Sequence, residues 1–216
     1  MAIYEWALDS ITGAARVGPS LTVQETKCSS FSNIECEVAM AAEQIFLRPQ
    51  DVVLLLKLAA NRSHAAFTFR ELAAQLYWSP STVHASVARL RLSRLMRSEE
   101  WGPFNVDLAA LREFLIHGAK YAFPASFGTF ARGIATGYAA PPLRDLISQP
   151  AEAAPVWPSA EGDVRGLALF PLHPSVPAAS RQDTRLYELL TLFDALRSGA
   201  ARERELASRL LQEQLT

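Results

Sequence analysis

The chain reads as an α+β protein, mainly helical with a small amount of β structure. Three observations carry this. Residues 67–97, FTFRELAAQLYWSPSTVHASVARLRLSRLMR, hold two short runs with apolar residues at helical spacing on either side of a tight turn. Residues 184–216 carry leucines at the same spacing. Between 120 and 170 the apolar runs are short and β-like, and Gly and Pro break them repeatedly. A chain of 216 residues, half of them hydrophobic and 20% charged, can bury a core and form one or two globular domains.

Taken in order, residues 1–39 are rich in Ser, Thr and Gly and lack sustained periodicity. They read as a flexible N-terminal extension, with a new pattern opening at Met40. Pro49 suits a first helical position, and Val52, Val53, Leu55, Leu56 and Ala59 make a wide apolar stripe behind it. Thr68 with Glu71 forms a capping box, and Phe67 with Leu72 its hydrophobic staple. Phe69, Leu72, Ala73 and Leu76 then recur at helical spacing. Ser79 caps the next helix with Pro80 at its first position, and Val83, Val87 and Leu90 face inward.

Gly102-Pro103 marks a turn between Leu95–Arg97 and Phe104–Val106, which can pair as a hairpin with Trp101 near its tip. Asp107 caps a helix from Leu108 to His117, with Leu111, Leu115 and Ile116 inward and Gly118 as its stop. Residues 148–162, SQPAEAAPVWPSAEG, read as an Ala-Pro-rich surface loop. Arg165 to Phe170 read as a short strand stopped by Pro171. Leu186, Leu189, Leu190, Phe193 and Leu196 form one helical stripe that ends at Gly199. Leu206, Leu210, Leu211 and Leu215 form the last.

Glu71, Leu72, Ala73, Leu76, Ser79, Ser81, Thr82, Val83, Val87 and Leu90 together spell E-L-A-x-x-L-x-x-S-x-S-T-V-x-x-x-V-x-x-L. This pattern resembles the helix-turn-helix of winged-helix regulators of the MarR, Lrp and IclR types. The resemblance covers about a third of the chain once a wing is included. It departs from the family in the turn, where Tyr77 stands in place of the usual Gly. A bulky residue is costly at a left-handed position. The resemblance implies a winged helix-turn-helix domain over residues 40–118. An α+β region over 119–216 would then serve dimerisation or partner binding. Residues 132–143, RGIATGYAAPPL, resemble the segment that follows the winged helix in antitoxin regulators of the AbiE type.

Charge supports the same reading. From Arg62 to Arg97 six arginines stand against Glu71 alone, a local +5 in a chain of −1, which leaves −6 for the remainder. With Val83, Val87 and Leu90 inward, Ser81, His84, Ala85 and Ala88 point to the floor of a major groove. His84 can donate to guanine, Ser81 and Thr82 can reach phosphate or a base edge, and Ala85 can touch a thymine methyl. Arg89 is placed for phosphate or base. Arg70, Arg91, Arg94 and Arg97 flank this face as phosphate contacts, or as surface solubility. The free N–H groups from Ser79 to Ser81 add an anion site.

Catalytic and cofactor chemistry is not encoded. There is no phosphate-cradling Gly loop, G-x-S-x-G elbow, H-E-x-x-H pair or C-x-x-C, and the four histidines are scattered. Glu99-Glu100 fit a wing tip better than a paired-carboxylate site. Cys28 and Cys36 cannot complete a zinc site, and reduced thiols are the expectation. The longest apolar run, Val52 to Leu56, is too short to span a bilayer, and no secretory signal opens the chain.

The leading expectation is a cytoplasmic transcriptional regulator without cofactor or metal. It would bind double-stranded DNA as a homodimer through Leu186, Leu189, Leu190, Phe193 and Leu196. The alternative is an antitoxin whose C-terminal region binds a protein toxin while its winged helix autoregulates. A third reading is a winged helix used only for protein contacts.

Overall fold

The computed structural model describes residues 46–62, 67–97, 104–147 and 154–216. The expected N-terminal extension, both cysteines, Glu99, Glu100, Trp101 and the Gly102-Pro103 turn lie outside these residues. The described protein is α+β and mostly helical, and Ile45–Thr216 form one compact unit.

Helix α1 (Pro49–Ala60) starts where Pro49 fixes φ, and Asp51 accepts the Arg48 N–H at 2.8 Å. The sequence predicts one apolar stripe here. In the fold every residue from Asp51 to Ala60 is buried, because α3 (Pro80–Leu92) packs on one flank of α1 and α7 (Thr184–Ser198) on another. Helix α2 (Phe69–Leu76) precedes α3 and packs against it. After α3 the chain returns through one antiparallel bridge, Met96 to Val106, flanked by hydrogen bonds Arg97 N–H to Asn105 O and Asp107 N–H to Leu95 O.

Helix α4 (Leu108–Glu113) does not stop at Gly118 as expected. It passes through a π-helical turn, Phe114–Gly118, into α5 (Ala119–Ala122). Leu111, Leu115 and Ala119 stay buried at four-residue spacing along the way, so burial of that face carries the helix past the glycine. Ile116, expected inward, is only half-buried.

The β structure is one small closed sheet. β1 (Phe127–Ala135) runs antiparallel to both β2 (Pro155–Pro158) and β3 (Val164–Leu169), and β2 pairs parallel with β3. Three strands close only if their backbones approach tightly. A Cβ on Gly133 would lie 2.1 Å from the Trp157 carbonyl oxygen, and one on Gly166 would lie 2.0 Å from that of Ala154. β2 corrects the surface-loop expectation for residues 148–162. Its Val156 and Trp157 are buried, because Thr136 and Asp194 give the indole a hydrogen-bonded setting inside the core.

Helix α6 (Val176–Gln182) is not legible among the prolines that surround it. Asp183 then caps α7 by accepting the Leu186 N–H at 3.0 Å, and α8 (Ala201–Gln214) packs back on α7.

The stripe on α7 corrects the dimer expectation. Leu186 is 0% exposed, Leu189 3%, Leu190 2%, Phe193 0% and Leu196 3%. α1, α5, α6 and α8 of the same chain pack on this helix, so its apolar side chains belong to the core and are not available to a second protomer or a toxin. Polar groups in the core are paired. Asp194 accepts from Trp157 Nε1 at 2.6 Å, Thr136 Oγ1 at 2.7 Å and Arg197 Nε at 2.8 Å. Among the described residues no helix is long and apolar enough to cross a membrane.

Candidate nucleic-acid interface

Local sequence sets the geometry of α2, the turn and α3. Thr68 and Glu71 close a reciprocal box, with Thr68 N–H donating to Glu71 Oε2 at 2.8 Å and Glu71 N–H to Thr68 Oγ1 at 3.2 Å. Ser79 Oγ accepts the Thr82 N–H at 3.2 Å and lies 2.9 Å from Ser81 Oγ and 2.8 Å from Thr82 Oγ1. Three hydroxyls therefore gather at the start of α3, beside its free N–H groups.

Tyr77 occupies the left-handed position, with φ 57° and ψ 42°. Its Cβ makes this conformation costly, and contacts from α6 and the segment before it offset the cost. Gln182 donates to the Tyr77 hydroxyl. Trp78 Nε1 donates to Ser175 Oγ at 2.9 Å and to His173 Nδ1 at 3.2 Å, and the indole packs edge-on against the His173 ring at 5.2 Å. His173 Nδ1 thus acts as an acceptor, and burial pushes this histidine below its ordinary pKa. The turn is held from the C-terminal half of the chain rather than by its own backbone preference.

The helical phase of α3 follows the sequence. Val83, Val87 and Leu90 are buried, while Ser81, His84, Ala85 and Ala88 are exposed along the opposite face. His84 is not a free ring. It stacks on Phe69 of α2, with centroids 3.6 Å apart and planes 8° from parallel. Phe69 in turn meets Phe104 edge-on at 4.8 Å. The stack fixes where the imidazole edge points.

The arginines divide. Arg70 on α2 and Arg94, in the left-handed position just past α3, are exposed. Arg97 is half-exposed and lies 3.5 Å from Asp107, whose carboxylate caps α4. The Ala110 N–H, opposed by some burial and helped by Arg97, holds that carboxyl below its usual range. Arg91 is half-buried.

Arg89 has a different task from the one its position suggests. Its Nε donates to Asp51 Oδ2 and its Nη2 to Asp51 Oδ1, both at 2.7 Å, and Nη2 also donates to Ser86 Oγ at 3.1 Å. Asp51 is fully buried, so this bidentate pair neutralises Arg89 inside the fold and ties α3 to α1. Nothing in the local pattern signals this, because Asp51 is 38 positions away and reads as a first-turn acid of α1. The exposed face of α3 therefore presents one imidazole and small side chains, rimmed by Arg70, Arg94 and Arg97.

Comparison of this chain with protein-family models, with curated proteins and with solved structures gives no match.

Proposed function

We propose that this protein is a sequence-specific DNA-binding regulator of transcription, acting in the cytoplasm, in which α1 to α3 and the paired segments at Met96 and Val106 work as a winged helix-turn-helix. The observation that carries the reading is the face of α3. Ser81, His84, Ala85 and Ala88 are exposed at major-groove spacing, while the cap at Ser79 sets a hydroxyl cluster and free N–H groups at the phosphate-facing end. His84 and Ser81 are base readers, and Arg70, Arg94 and Arg97 are phosphate contacts. With Arg89 withdrawn, few hydrogen bonds reach bases, so DNA shape contributes to selectivity.

Selection of bound duplexes from a random pool, followed by titration at several salt concentrations, tests this. Replacing Arg94 and Arg97 by Ala lowers the slope of log K against log salt by about one for each phosphate that the protein no longer neutralises. His84→Ala relaxes base preference with the slope unchanged. Failure to enrich any sequence, or a slope that neither arginine moves, overturns the reading.

A further inference from the structure

We propose that a second copy of this chain docks along the free edge of β1. The first part of this strand, residues 127–131, pairs with β3 on one side only, since β2 pairs with residues 133–135. Among the described residues no strand pairs with its other side. The segment is FGTFA, which has neither charge nor proline, the side chains that monomeric proteins place on exposed strand edges.

Large apolar side chains surround it. Phe127 is 47% exposed, Phe130 57% and Phe170 52%. One extra β1 residue lies between the pairs Phe127–Leu169 and Phe130–Leu167, which sets both phenylalanines on one face. The same bulge shortens any ladder that β1 can share, so the rings supply most of the contact.

The occupant follows from the character of this edge. An uncharged strand carries no electrostatic code for a foreign partner. Antiparallel pairing of β1 with its own copy across a two-fold axis is complementary without further design. Three half-exposed phenylalanines offer about 300 Å² of apolar surface. Thr129, Ala131, Val164 and the backbone edge add to this, toward but not beyond the ~800 Å² per partner of a standard interface. The association is therefore reversible and weak. The inference rests on the DNA-binding reading only for its purpose, since two copies present two α3 helices to a two-fold site.

The test is sedimentation of the full chain without DNA, from about 1 to 200 µM. The expected result is a monomer–dimer equilibrium with its midpoint at tens of micromolar. Phe130→Glu and, separately, Phe127→Glu should raise that midpoint more than tenfold, with thermal melts unchanged because both rings are half-exposed. A monomer throughout, or a dimer whose midpoint neither variant moves, overturns the proposal. DNA binding is read separately on a single half-site duplex, where the Phe130→Glu chain should match the unmodified chain. Loss of half-site binding by both chains with the dimer intact would count against the DNA-binding reading alone.

Discussion

Asp51 and Asp183 show how two buried carboxylates take different parts. Asp51 is matched by one guanidinium, that of Arg89, whose own pKa is raised by its hydrogen bond to that carboxylate against the opposing effect of burial. Removing the acid leaves a cation in a setting built for a pair. Asp51→Ala should therefore cost about 3 kcal/mol in denaturant unfolding, more than a surface substitution costs. Asp183 receives Lys57 Nζ at 2.6 Å and Asn61 Nδ2 at 2.7 Å while capping α7. Burial alone would raise its pKa, but these hydrogen bonds outweigh burial and hold it below the ordinary aspartate value. The unfolded chain therefore takes up the proton first as pH falls. The stabilisation is complete above the unfolded value, about 3.9, and is lost as pH drops through the lower folded one. Unfolding free energies measured from about pH 6 down to pH 2 should show this loss, and Asp183→Asn should flatten it.

Elements succeed here by different means. α2 and α3 are encoded by their caps and phase, whereas the closed sheet is encoded by the absence of side chains at Gly133 and Gly166. A methyl at Gly133 meets the Trp157 backbone carbonyl, which cannot swing aside. Gly133→Ala should cost about 3 kcal/mol and lower the melting temperature visibly. Gly128→Ala is the control, because its methyl would meet the Phe170 ring at 3.2 Å, and that exposed ring can rotate. It should cost less than about 1 kcal/mol. The turn at Tyr77 lies between these cases, with its start and stop written locally and its strained residue held by Gln182 from afar.

At the scale of the molecule, the helix-turn-helix segment and the C-terminal helices contribute to one core. α7 packs against α1, Lys57 pairs with Asp183, and Trp78 bonds Ser175 and His173. A chain cut before Asp183 loses the cover of α1 and the acceptor of its buried Lys57. Such a fragment should not keep a folded helix-turn-helix. Its circular dichroism should lack a cooperative melt, while the full chain shows one. DNA binding by the proposed face is then a property of the whole compact unit rather than of a detachable module.

What depends on neighbours a few positions apart is written in the chain. The capping box at Thr68, the Ser79 cap, the inward phase of Val83, Val87 and Leu90, and the chain reversal before Asp107 are all local, and all stand where the residues place them. What covers each face is settled by the packed fold. A leucine stripe states that it must be buried and not by what, so α7 is read equally well as an interface or as the core helix it is. Arg89 and Asp51, or Trp157 and Asp194, meet across 38 and 37 positions, a distance at which no periodicity carries information. The two prolines around Val156 and Trp157 suggest a loop until closure of the sheet buries the indole. Local patterns fix conformation because hydrogen bonds and rotamers act over a few residues. Burial and ion pairing act through space, and they reassign residues that the chain alone leaves open.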